Sequence, residues 1–495
     1  MTDKKNKLKI AVVTLIQEGA AKIGGEHAML FPYVEQIIKA AATVKDRVTL
    51  IPYVISPRPK SMQKLKQVDN LKSQMSSTNG GKMILVSNGA EIPYENPWNW
   101  EKYGYEANEA LIQLHSEKKF DGIIIMAHGY ASIPVVLNIK ASKQNGSYGK
   151  IPIVSYYITH SSFDEHKDNR PQRKILEREI QNHAKMIAIS PYMAQHLEDI
   201  GLVKKKGETI PLYNALPKNG WFSSKVSLDE VTDLVSQRNK TINKGPFFGQ
   251  VLPYKEILTG SKELVLYFGR AQKYVKGTDA VIACAKNDPK RHYMLICSGS
   301  EDELVWHKKL IADTPNITLA WEHNSRLVLG MVQISENSPK ARIYSIFLSR
   351  REPMGLVSRE VVLMQDKGAI LPIVSDSCGF DDEWQQQYSF IVTNPSTLED
   401  ELTKQQQSQL ANDGDIFIHD NCIRGTLNAL DSLSSLSLKE LRTRVKNYRK
   451  AIEENYTEDR YWTFYIQSLA NIDRNLKSFI DQKISENNLK KVVNV

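Results

Sequence analysis

Short apolar, β-branched runs alternate with helical patterns through the first half of the chain. KIAVVTL leads into EHAMLFPYVEQIIKAAA and then RVTLIPYVI, and FDGIIIMAHG, IPIVSYYITH, AKMIAIS and ETIPLYN follow. Runs this short and continuously apolar predict strands buried on both faces, and the helices between them predict a parallel, doubly wound sheet. A second series follows a less regular stretch over 216–261: ELVLYFGR, HYMLICSG, NITLAW, ARIYSIFLS, GAILPIVS and YSFIVTN. Two such series predict an α/β fold of two Rossmann-like sheets.

Two regions depart from that alternation. Residues 56–105 carry KSMQKLKQVDNLKSQMSSTNGGK and the aromatic-rich NPWNWEKYGYE, too long for an ordinary connection, and read as a loop or hairpin insertion. From about 434 onward LKELRTRVKNYRKAIEEN and EDRYWTFYIQSLANIDRNLKSFI are helical in pattern, and NNLKKVVNV reads as a frayed end.

Composition changes this picture little. The 495 residues, 41% hydrophobic and 24% charged, suit a globular chain of two or three domains. The 65 basic against 56 acidic residues give a formal charge of +9 without a dense basic tract, so no nucleic-acid partner is expected. A solvated lysine-rich surface accounts for that excess, and a basic face against anionic lipid, hence peripheral membrane contact, stays open. Cys284, Cys297, Cys378 and Cys422 lie too far apart for a zinc site or disulfide scaffold and fit a cytoplasmic location. The apolar start is followed by Gln17 and Glu18 and reads as a strand, and no run reaches the roughly 20 residues of a membrane span.

Ligands of doubly wound sheets bind beyond the carboxyl ends of the strands, so the residues after each apolar run carry the candidate chemistry. In FLSRREPMGLVSREVVLMQ, Glu352 sits in the turn after a strand and Glu360 eight positions on, in a helix. Gly355 allows close backbone approach, and the amides of Met354, Gly355 and Leu356 open the helix toward an anion such as a diphosphate. In LYFGRAQKYVKG, Gly269 permits a tight turn, and Arg270 and Lys276 project two cations suited to a departing diphosphate. Singly, each of these residues fits an ordinary solvated position; their joint order at strand ends favours a site. The acidic run Asp381, Asp382 and Glu383 reads as a solvated face, and no metal or cofactor is expected.

These motifs resemble those of retaining GT-B glycosyltransferases with the E-x7-E motif, the group 1 or family 4-like type. The usual S-x-x-E-P-F-G-L-V-x-x-E is matched by Ser349, Glu352, Pro353, Gly355, Leu356, Val357 and Glu360, and G-R-x(5)-K-G by Gly269, Arg270, Lys276 and Gly277. Met354 replaces the usual Phe, and Cys378 in SDSCGFDDEW takes the first glycine of T-x-x-G-G-x-x-E. Shorter matches are Gly24 and Gly25 before the first helix, His128 in MAHGY and His160 in YYITH.

The resemblance implies a Rossmann-like acceptor domain at 1–215, a nucleotide-sugar donor domain at 216–455, a cleft between them, and a C-terminal helix at 456–495 packing back toward the first domain. It implies metal-independent transfer with retention from a nucleotide-diphosphate sugar to a hydroxyl of a glycan, lipid-linked, protein or small-molecule acceptor. The sugar defaults to a hexose or N-acetylhexosamine, UDP-linked. Arg270 and Lys276 would stabilise the leaving diphosphate, Glu352 would hold the donor sugar and Glu360 the ribose, with Met354, Gly355, Leu356 and Val357 lining the donor. His160 would face the transferred sugar, Gly24 and Gly25 would make room for phosphate and acceptor, and His128 is a further acceptor or sugar candidate. The WNW and YGY aromatics either stack on an acceptor sugar or build a satellite core. An epimerase-like enzyme and a non-catalytic nucleotide-sugar-binding subunit of a synthase remain alternatives. The NAD fingerprint G-x-G-x-x-G is missing from both early strands.

Overall fold

The computed structural model describes residues 7–16, 26–58, 66–86, 97–158, 171–199, 201–203, 207–214, 216, 224–272, 275–322, 325–350, 352, 354–376, 383–395, 418 and 420–487. The chain forms two compact units, Met1–Pro217 with Tyr456–Val495, and Lys218–Asn455.

The first unit opens with β1 (Leu8–Leu15), α1 (Glu26–Val44), β2 (Val48–Pro57), α2 (Lys66–Ser77), β3 (Lys82–Val86) and α3 (Pro97–Lys118). It continues through β4 (Gly122–His128), α4 (Ile133–Gln144), β5 (Ile153–Ile158), α5 (Pro171–Ile180), β6 (Lys185–Ala188), α6 (Pro191–Asp199) and β7 (Ile210–Pro211). The strands run in the order β3-β2-β1-β4-β5-β6-β7, all parallel. The continuous apolar runs fill the middle: Ile10 to Val13 and Ile123 to Ala127 are fully buried. Chain order reverses between β1 and β4.

The stretch 56–105, expected to be a loop or hairpin, instead supplies α2, a third parallel strand and the start of α3. Leu71 and Met75 of α2 pack with Leu30, Val34 and Val54, and Met83 of β3 joins them, so the segment is part of the core. Asn79 at φ 55° turns α2 into β3, and its side-chain amide donates to Leu50 O at 2.8 Å. The apolar positions of α2 are sparse and β3 is half-buried, which hid both in the sequence pattern.

The second unit contains α7 (Leu228–Lys240), β8 (Phe247–Gly249), α8 (Tyr254–Thr259), β9 (Leu264–Arg270), α9 (Thr278–Asn287), β10 (His292–Ser298), α10 (Glu301–Ile311) and β11 (Ile317–Trp321). Then come α11 (Ser325–Asn337), β12 (Ile343–Phe347), α12 (Leu356–Leu363), β13 (Pro372–Ser375), α13 (Glu383–Tyr388), β14 (Phe390–Val392), α14 (Asp420–Ser435) and α15 (Leu438–Asn455). The sheet order is β14-β13-β12-β9-β10-β11-β8, and it reverses between β9 and β12. Edge strand β8 runs antiparallel to β11, so this sheet is mixed, not wholly parallel. The stretch 216–261 is also more ordered than its pattern predicts: Ser227 and Glu230 form a reciprocal capping box that starts α7.

The chain end returns to the first unit as two helices rather than one, α16 (Asp459–Ser468) and α17 (Lys477–Glu486), joined by short 3₁₀ turns. Asp459 pairs with Lys39 at 2.5 Å and Trp462 Nε1 donates to Thr43 Oγ1 at 3.0 Å, docking α16 on α1.

Candidate active site

The two motif loops of the second unit leave adjacent strands. β9 and β12 are parallel neighbours at the point where strand order reverses, so the loops at their carboxyl ends flank the crevice of a doubly wound sheet. At the end of β9, Gly269 adopts φ 144° and Tyr267 Oη donates to Arg270 O at 2.8 Å, which fixes the turn and leaves the Arg270 side chain exposed. Burial holds the Tyr267 phenol well above its ordinary pKa, with Cys297 and Glu352 adding to the rise, so it stays a neutral donor.

Gly277 caps α9 at φ 64°, and a methyl group on it would lie 1.7 Å from Leu348 O. Only glycine lets the two loops pack this closely. Thr278 follows, held through its hydroxyl at 2.7 Å from Nε2 of the fully buried His307. His307 Nδ1 lies 2.7 Å from Glu303 O and therefore donates to it.

Across this junction Lys276 Nζ meets Glu352 Oε2 at 2.6 Å, with side chains 18% and 13% exposed. Beneath them Arg350 donates to both oxygens of Asp279, at 2.9 and 2.6 Å, and both side chains are buried. Arg350 N donates to Val275 O at 2.9 Å, and Asn394 Nδ2 donates to Arg350 O at 3.0 Å.

The helix start is braced from inside. Gly355 sits at φ 62° as the N-cap of α12, Met354 is buried, and Leu356, Val357 and Glu360 are half-buried. The buried Arg359 guanidinium donates to Met354 O and, at 3.2 Å, to Gly355 O, and Ser358 Oγ also donates to Gly355 O at 2.8 Å. In trans peptides C=O and N–H point opposite ways, so the amides of Gly355 and Leu356 face away from that buried cation. The arrangement can hold an anion with backbone amides, Arg270 and Lys276.

Sequence reasoning missed Arg350, Asp279 and Arg359. An arginine in SRRE reads as a surface residue, and Asp279 reads as an ordinary acid in a helix's first turn. In the first unit His128 ends β4 beside β1, at that sheet's own reversal, where it is 2% exposed and packs against Tyr33 with ring centroids 4.7 Å apart and planes inclined by 36°. Gly24, Gly25, His160, Cys378, Asp381 and Asp382 lie outside the described residues. Of the aromatic cluster, Trp100 and Tyr103 are core residues: Trp100 packs edge-on against Tyr130, and Tyr103 Oη donates to Ile16 O and Ile55 O at 3.0 Å. Among the described residues no three His, Cys, Asp or Glu side chains cluster as metal ligands would, and no helix is long and apolar enough to cross a membrane.

No family model and no curated protein sequence matches the chain. Solved structures do. A glycosyltransferase from Rickettsia africae superposes with a TM-score of 0.57 at 13% identity, over 94% of this chain and 99% of that one. The catalytic domain of starch synthase IV from Arabidopsis thaliana, bound to ADP and acarbose, gives 0.58 at 12% identity, over 97% and 100%. The N-terminal domain of a Candida albicans trehalose-6-phosphate phosphatase gives 0.60 at 13%, over 94% and 98%. The chain has the GT-B fold. In GT-B terms, both motif loops belong to the second Rossmann-like unit, and His128 belongs to the first.

Proposed function

We propose that this chain is a retaining glycosyltransferase that moves a sugar from a nucleotide-diphosphate donor to a hydroxyl acceptor. The observation that carries the reading is the meeting of Lys276 and Glu352 at the second sheet's reversal point, beside exposed Arg270 and the outward amides of Gly355 and Leu356. One site thus offers two cations and a helix start to a diphosphate, and a carboxylate to vicinal hydroxyls. The ADP and acarbose in the starch synthase structure support the same use of this fold.

In this reading the donor diphosphate takes Lys276 from Glu352, and the freed carboxylate turns to the donor sugar while Glu360 receives the ribose. The bond from the anomeric carbon to the diphosphate oxygen breaks as the acceptor oxygen bonds to the same face. The departing phosphate takes the acceptor proton, so no side-chain nucleophile is required. Charge grows on the diphosphate toward the transition state, where Arg270 and Lys276 stabilise it most, and these cations do work that needs no metal. Gly24 and Gly25 would leave room for the donor phosphate and the acceptor, His160 would act beside the transferred sugar, His128 is a further acceptor or sugar candidate, and a UDP-linked hexose or N-acetylhexosamine is the starting donor.

Thermal unfolding with UDP-, GDP- and ADP-hexoses tests the donor site. A ligand at a hundred times its Kd adds about 2.7 kcal/mol. One base is expected to raise the melting temperature of the wild type and not of Arg270→Ala; no response to any donor overturns the reading.

A further inference from the structure

We propose that Arg350 and Asp279 are a positioning pair that sets Lys276 against Glu352. Neither charge is exposed: the side chains are 6% and 5% accessible, and each carboxylate oxygen takes one guanidinium N–H. Asp279 lies three residues after Lys276, in the first turn of α9, and Arg350 lies two residues before Glu352, just beyond β12. The buried pair therefore ties together the two segments that carry the partly exposed pair. Arg350 N on Val275 O and Gly277 against Leu348 O repeat the tie in backbone.

Desolvation makes a buried ion pair a poor source of net stability, and apolar residues of similar volume replace such pairs with little loss. What apolar residues cannot reproduce is the bidentate geometry, which fixes distance and angle between two loops at once. When the donor opens the Lys276–Glu352 contact, the Arg350–Asp279 fork still holds both loops in register. This last step rests on the proposed donor site.

The test uses the full chain carrying Arg350→Met with Asp279→Leu, and separately Arg350→Lys, which keeps the charge and loses the fork. Lysines are methylated reductively with ¹³C-formaldehyde, and the Lys276 resonance is assigned from its loss in Lys276→Arg. In both variants the Lys276 signal is expected to move to the position of freely exposed lysines while the melting temperature stays near that of the wild type. Turnover should fall through kcat rather than KM, on the order of a hundredfold for a displaced catalytic group. A folded double variant, or Arg350→Lys if the double variant does not fold, whose Lys276 resonance and kcat match the wild type overturns the proposal. If the wild type turns over no nucleotide sugar, the glycosyltransferase reading falls, and the Lys276 resonance still decides whether the pair positions it.

Discussion

Lys276 Nζ lies 2.6 Å from Glu352 Oε2, so a carboxylate of the protein itself occupies the cation that a donor diphosphate would need. Binding then exchanges one anion for another on Lys276. Glu352→Gln removes the internal competitor. Calorimetry with the nucleoside diphosphate alone should show tighter binding by a few fold, about 1 kcal/mol for a partly exposed ion pair. Transfer from the full donor should fall, because the carboxylate that would accept the sugar hydroxyls is gone. Weaker diphosphate binding by this variant would contradict the exchange.

Gly277 has a different vulnerability. Alanine there must hold φ 64° and place a methyl group 1.7 Å from Leu348 O, a backbone atom that cannot swing aside. Gly277→Ala is expected to lose about 3 kcal/mol in urea denaturation, from left-handed strain plus displacement of a strand end. A loss below about 1 kcal/mol would mean that the two loops do not pack as described.

Much of this was legible beforehand, for a physical reason. Strands such as Ile10 to Val13 and Ile123 to Ala127 are buried on both faces, and only uninterrupted apolar runs satisfy that. The two motif loops were legible because Gly269, Gly277 and Gly355 each stand at positive φ, where glycine is favoured, beside charges in fixed order. Legibility failed where tertiary contacts overrode local pattern. Edge strand β3 is half-buried, β8 spans only Phe247–Gly249, and Arg350 is indistinguishable in sequence from a surface arginine until Asp279 is brought to it.

Within the aromatic cluster Tyr105 is 60% exposed, whereas Trp100 and Tyr103 favour the core reading. Both are buried, and the phenol of Tyr103 serves two carbonyls at the ends of β1 and β2. Trp100→Ala should cost about 3–5 kcal/mol in denaturant, as other large-to-small core changes do. An unchanged stability with a raised acceptor KM would restore the sugar-stacking role.

His292 gives the second unit a pH dependence. Thr318 Oγ1 donates to Gln250 O, so His292 Nε2 at 2.8 Å from that oxygen is the donor, and the ring is buried neutral. Burial, reinforced by Lys262, lowers its pKa from 6.5 to about 3. The unfolded chain binds the proton more readily, so this contribution is complete above pH 6.5 and is lost as pH falls toward 3. His292→Gln keeps an N–H donor and does not titrate. The wild type should lose stability relative to this variant by up to about 1.4 kcal/mol per pH unit within that window. Parallel pH profiles of the two proteins would show that His292 is not the titrating group.

The most direct test of sugar transfer follows UDP-, GDP- and ADP-hexoses by proton NMR with the wild type, Arg270→Ala and Lys276→Ala. A retaining glycosyltransferase consumes one of them, releases the nucleoside diphosphate, and yields a first-formed sugar product with the donor's anomeric configuration. Loss of either cation should slow that release by on the order of a hundredfold or more. Inverted configuration contradicts retention, and equal consumption by wild type and variants, or none by the wild type, contradicts a transferase built on these residues.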